Sequence, residues 1–183
     1  MLLGEPLLKA DLYDLEQLIQ AEVADELVQR VLAGTLSVDE LLTDHFLREL
    51  HRRLCGPAWS WGGRQRLRET NIGVAPEQIT VMLRMSLDDL RFRWLHGDGM
   101  PARSLGIEVH AALVHIHPFV DGNGRATRLL ADLVFPAAQG EGDVLAHNWD
   151  VERDQYVRLL REYDATREPR ALIAFVPVTP LEV

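Results

Sequence analysis

His115-Ile-His-Pro-Phe-Val-Asp-Gly-Asn-Gly-Arg-Ala-Thr-Arg128 decides how this chain is read. From His117 to Arg128 it brings together an imidazole, a carboxylate, a Gly-Asn-Gly turn and two arginines. Pro118 restricts the backbone of His117 and removes an amide donor, so a preceding helix must stop here. Gly122 and Gly124 allow positive φ and a close backbone approach to a ligand. Apolar residues resume at Leu129, Leu130, Leu133 and Val134, so a new helix starts near Gly124. The result is helix, glycine turn, helix. The free amides of the second helix form an anion nest favoured by the dipole. Arg125 and Arg128, three residues apart, lie on one side of its first turn and suit a polyphosphate.

Outward from this segment the chain reads as helical. Leu12, Leu15, Leu18, Ile19, Val23, Leu27, Val28 and Val31 mark an amphipathic helix over 11–33, ended by Gly34. Ser37 and Glu40 form a capping box that opens a second helix through Leu41, Leu42, Phe46, Leu50 and Leu54. Gly56-Pro57 breaks it. Residues 59–74 lack a helical period and are rich in glycine and aromatics, which predicts a short β-hairpin or an irregular loop. Pro76 starts a third helix with Ile79, Leu83, Leu87, Leu90 and Trp94 on its buried face, closed by Gly97-Asp-Gly99. A fourth covers 102–116 and feeds the glycine turn. The helix from 124 is expected to end near Val134, before Pro136. After a loop at Gly140-Glu-Gly142, Asp150 is expected to cap a helix through Leu160. Pro169 starts a last short helix ending near Phe175, and Pro177 and Pro180 leave an extended tail. The fold class is all-α, with one hairpin.

Composition narrows the setting. With 183 residues, 47% of them hydrophobic, the chain can bury one core. It has no apolar run long enough to span a membrane. The start Met-Leu-Leu-Gly-Glu-Pro lacks the basic region of a signal peptide. A single cysteine, Cys55, excludes an internal disulfide and fits a reducing cytosol. A net charge of -9 argues against a duplex nucleic-acid partner, although arginines concentrate between Arg48 and Arg68. His110, His115 and His117 lack the partners and spacing of a zinc site. Around a phosphate the motif divides into roles: His accepts a proton near neutral pH, Asp holds Mg²⁺ through a hard oxygen, and amides and arginines bind phosphates.

Residues 117–128 match His-Pro-Phe-x-Asp/Glu-Gly-Asn-Gly-Arg-x-x-Arg, the signature of Fic domains, at every specified position. Leu47-x-x-Leu50-His51, Trp59-x-Trp61-x-Gly63, Asn71-Ile-Gly-Val74, Val114-His-Ile-His-Pro-Phe119 and Leu129-Leu-Ala-Asp-Leu133 resemble the small Fic proteins called mobile mystery protein B. The resemblance covers roughly residues 36–176, with the 11–33 helix packing on this core in a single 1–183 domain. It implies a Fic-type helical bundle with a short hairpin flap and a cytoplasmic protein adenylyltransferase. Such an enzyme moves AMP from ATP, with Mg²⁺, to a Ser, Thr or Tyr hydroxyl of a target protein. By that resemblance His117 is the base, Asp121 holds Mg²⁺, and Gly122, Asn123 and Gly124 form the anion hole. Arg125 and Arg128 grip the β- and γ-phosphates, and Phe119 anchors the loop. The segment near 64–74 is the flap on which the target docks. Glycine at 124, rather than the lysine of kinase relatives, favours AMP transfer.

Many Fic proteins also carry an inhibitory helix, Ser/Thr-x-x-x-Glu-Gly/Asn, whose Glu pairs with the second motif arginine. Leu12-x-x-x-Glu16-Gln17 has the place and the acid without the hydroxyl or the small residue, and Ser104-x-x-x-Glu108 is followed by Val109. Glu16 is therefore the candidate inhibitory acid, expected on Arg128, with Glu108 or a separate antitoxin chain as alternatives. Rival activities are removal of AMP and a nucleotide-binding, toxin-like regulator with little turnover.

Overall fold

The computed structural model describes residues 9–97, 99–140, 142 and 144–181. The opening Met-Leu-Leu-Gly-Glu-Pro, Asp98 of the third helix's closing turn and Glu141 of the following loop lie outside the described residues.

Two helices form the centre: α5 (Ala102–Ile116) and α6 (Asn123–Ala137), which pack against each other along their lengths. On the α6 side lie α1 (Lys9–Leu32), α2 (Val38–Leu41) and α3 (Asp44–Cys55). On the α5 side lie α4 (Ile79–His96), α7 (Arg153–Thr166) and α8 (Arg170–Phe175). α5 is buried nearly all round because it serves two cores. Leu105, Val109, Leu113 and Ile116 enter the main core, while Ile107 and Ala111 meet Leu159, Leu172 and Val176 in a smaller one. Gly106 lets a strand approach α5, since a Cβ there would lie 2.5 Å from His147 Cε1.

The helical fold class holds, with several local corrections. The single helix expected after Ser37 is two. Its capping box forms, with Ser37 N donating to Glu40 Oε2 at 2.9 Å, but α2 ends at Leu41. Thr43 then caps α3, its Oγ1 accepting from Phe46 N at 3.1 Å. A second N-cap residue so close to the first offers the backbone an alternative to continuing. A 3-10 turn at Pro76–Gln78 leads into α4. α6 continues past Val134 to Ala137, because Pro136 falls in its last turn and costs only one interior bond. Glu152, not Asp150, caps α7, its carboxylate accepting from the amides of Asp154 at 2.7 Å and Gln155 at 2.6 Å. The expected tail supplies a strand. β1 (Leu145–His147) pairs antiparallel with β2 (Val178–Pro180), Ala146 opposite Thr179.

No hairpin forms over 59–74. This segment makes one isolated antiparallel bridge, Gln65 with Phe119, so it pairs with the motif loop rather than with itself. Arg66 N donates to Pro118 O at 2.9 Å and Val74 N to Ile116 O at 3.3 Å.

Candidate functional site

The loop between α5 and α6 is held from inside. α5 ends with His117 in the left-handed conformation, φ 52° and ψ 61°, its amide bonded to Leu113 O. This is costly for a residue with a Cβ and persists only when its surroundings enforce it. Phe119 is fully buried, and Asn123 clasps it: Asn123 Oδ1 accepts from Phe119 N and Nδ2 donates to Phe119 O, both at 2.9 Å. The Asn123 side chain therefore shapes the loop, and only its backbone amide remains for the nest. Gly122 caps α6 at φ 74°, where a Cβ would lie 2.9 Å from Cys55 Sγ and 3.2 Å from His51 Nε2. Gly124, expected to need positive φ, instead lies in the first turn of α6 outside the positive-φ residues, with open space before its Cα.

His51 of α3 is the strut beneath this loop. Its ring stacks on Phe119 with centroids 3.7 Å apart. Gly63 N donates to Nδ1 at 2.9 Å, so Nδ1 is unprotonated and Nε2 donates to Asp121 O at 2.9 Å. Burial lowers its pKa and keeps this neutral tautomer. A histidine within an amphipathic helix gives no such role away, although Leu47-x-x-Leu50-His51 belongs to the quoted resemblance.

The charged groups fan out from the first turn of α6. Asp121 is exposed at the rim, its Oδ1 accepting from Gly122 N at 2.6 Å. Arg125 and Arg128 diverge by about 60°, since three residues turn a helix by about 300°. Arg125 faces α1, where its NH1 meets Glu16 Oε2 at 2.6 Å. Trp59 Nε1 donates to the other Glu16 oxygen at 2.9 Å. Glu16 thus reaches the motif, but on the first arginine and not, as expected, on Arg128. Arg128 turns toward α7 and lies beside Tyr156; burial pushes that phenol up to about 12 and the guanidinium opposes the rise. Glu108 is elsewhere, bonded to Arg93 of α4 at 2.7 Å.

His117 is half-buried, and its Nδ1 is buried on the protein side, which leaves Nε2 to meet a hydroxyl. Burial lowers its pKa first and the Arg66 guanidinium second, against the Val114 carbonyl, Asp121 and Asp164. Both effects favour the neutral ring, the form a base needs. The other histidines of the segment face away from it. His115 Nδ1 lies 3.0 Å from Asp164 Oδ1, with Arg167 NH2 2.7 Å from its Nε2. His110 is fully buried with its Nε2 2.5 Å from Tyr156 Oη. Among the described residues no cluster of three or more metal-ligating side chains occurs.

The Fic/DOC family profile matches residues 41–135, just over half of the chain. The chain belongs to the Fic/DOC family. A curated relative, the protein adenylyltransferase Fic of Drosophila ananassae, is 34% identical over 120 residues, covering 62% of this chain and 23% of its own. This Fic chain therefore spans about a quarter of that relative's length. The N-terminal Fic domain of a cell filamentation protein from Bartonella quintana superposes with a TM-score of 0.70 at 19% identity, covering 93% of this chain and 84% of its own. BepC from Bartonella tribocorum, solved with bound AMPPNP, gives 0.67 at 16% identity, over 94% and 89% of the two chains. At such identities the two structures establish the shared Fic fold, including the elements outside the profile. No described helix is long and apolar enough to cross a membrane.

Proposed function

We propose that this Fic protein is a protein adenylyltransferase that moves AMP from ATP to a Ser, Thr or Tyr hydroxyl of another protein in a reducing cytosol. The observation that carries the reading is His117, held in a left-handed turn directly before an open helix N-terminus flanked by Arg125 and Arg128. The target hydroxyl oxygen attacks the α-phosphorus and its proton passes to His117 Nε2. The bond from the α-phosphorus to the bridging oxygen breaks, and pyrophosphate leaves. The backbone amides of Asn123 and Gly124, with that of Gly122 once its bond to Asp121 opens, and the two arginines receive the phosphates. That a relative of the same fold binds AMPPNP supports ATP as donor. Asp121, with its carboxylate at the solvent rim, suits a hard cation brought in on the nucleotide, and one carboxylate plus phosphate oxygens is a usual Mg²⁺ set. Bound there, Mg²⁺ would offset the phosphate charge. The target is expected on the 64–74 flap, where Leu67 is 90% exposed. Labelled ATP, incubated with the protein and a lysate and followed by mass spectrometry of modified hydroxyls, tests the reading.

One observation favours a restrained form of this activity. Glu16 occupies Arg125, and no residue between 11 and 22 is fully buried, although Ile19 packs against the core. α1 is then a removable block over the phosphate site. An engaged Glu16 also suits the reverse activity, in which an acid positions water for removal of AMP. Control by a separate antitoxin chain would add to this contact.

A further inference from the structure

Arg66 is an unusual buried cation. It is 2% exposed and forms no ion pair among the described residues. A buried charge normally requires a partner. Here the partners are backbone carbonyls. Nε donates to His117 O at 2.7 Å, NH1 to Arg68 O at 2.9 Å, and NH2 to Val74 O and to Ile116 O at 3.5 Å. Ile116 and His117 supply carbonyls at the C-terminal end of α5, which lack helical partners and carry the negative end of its dipole. The remaining two acceptors belong to the flap. The planar guanidinium therefore joins both ends of the flap to the one backbone turn that aims His117. Gly73 completes the joint: at φ 94°, a Cβ there would lie 2.5 Å from His117 Cβ and 2.8 Å from Arg66 NH2.

We propose that Arg66 is the positioning residue for the catalytic base, fixing the left-handed turn of His117 and making flap and base one rigid unit. The inference rests on the reading of His117 as base. Lysine cannot replace it, because an ammonium keeps the charge without the fork that spans carbonyls on both segments. The charges facing His117 are Arg66 from the flap, Asp121 from the loop and Asp164 from α7. Of these, Arg66 alone acts to keep the ring neutral.

Three variants test this: Arg66→Lys, Arg66→Gln and Gly73→Ala. Each is followed by ATP affinity, by kcat and KM of AMP transfer, and by NMR titration of the labelled His117 imidazole. All three should lose about 10²-fold in kcat, the effect of misplacing a catalytic group by about an ångström. ATP affinity should stay within about twofold, because the nest is untouched. Arg66→Gln should raise the titration midpoint of His117, and Arg66→Lys should leave it near the wild-type value. Wild-type kcat and an unchanged imidazole signal in Arg66→Gln would overturn the proposal. So would parallel losses of ATP affinity and kcat in all three, which mark general loosening. If the protein transfers no AMP even with Glu16→Ala introduced to free Arg125, the activity reading fails by itself, and the imidazole titration still decides the role of Arg66.

Discussion

Replacing Glu16 by Ala should tighten ATP binding. Glu16 holds Arg125 NH1 at 2.6 Å and accepts from Trp59 at 2.9 Å, and the paired side chains are 16% and 24% exposed. A charge-assisted hydrogen bond contributes ~1.5–3 kcal/mol when sheltered, less when water screens it. Partial exposure brings the cost of displacing Glu16 to about 1–2 kcal/mol, which is roughly five- to thirty-fold in affinity. Calorimetry with ATP and AMP measures it. ATP should gain most, since AMP lacks the phosphates that Arg125 is proposed to hold. Thermal stability should change little, because the N-terminal half of α1 buries so little. In an Arg125→Ala background the gain should vanish, and in an Arg128→Ala background it should remain. Equal ATP affinity in wild type and Glu16→Ala would refute the competition. A gain that survives loss of Arg125 would refute the pairing.

Other expectations follow from the same geometry. Arg128→Ala should weaken ATP more than AMP by calorimetry. Asp121→Ala should raise the Mg²⁺ concentration needed for half-maximal transfer while leaving the unfolding curve unchanged. Gly122→Ala should destabilise the fold by ~1–3 kcal/mol in urea, through strain at positive φ and contact with Cys55 and His51. Stability should also fall in acid. Burial holds His110 at about 3 in the folded protein, whereas the unfolded side chain titrates near ~6.5. The unfolded state alone takes up this proton, so stability present above pH ~6.5 declines toward pH 3 by ~1.4 kcal/mol per unit, or ~2 kcal/mol by pH 5. His110→Gln should flatten that slope in urea titrations at pH 5 and 7.

What was legible was local. Pro118, Gly122 and the return of leucines at 129 and 130 mark the end of α5 and the start of α6, because each acts on its own backbone. The fold class and the Fic/DOC family follow from that one segment. The flap was legible as an interruption but not as a structure, because its one bridge joins Gln65 to Phe119, far along the chain. Glu16 was legible as a candidate acid, yet its partner depended on which side of α6 meets α1, and 60° of helix rotation separates Arg125 from Arg128. His51 and Arg66 gave no signal of their roles, since one looks like any polar residue of an amphipathic helix and the other like one more loop arginine. β1 and β2 are too short to show alternation. The break at Thr43-Asp44 had a signal, an N-cap residue followed by an acid, hidden within a continuous apolar stripe.

The most direct test of the central claim compares Glu16→Ala with the Glu16→Ala, His117→Ala double variant, each given isotope-labelled ATP, Mg²⁺ and a cell lysate, with modified peptides read by mass spectrometry. The account predicts AMP on protein hydroxyls with the first protein and a fall of ~10²–10⁴ with the second, while both bind ATP equally. Equal modification by the two proteins, or none by Glu16→Ala with ATP bound, would contradict it.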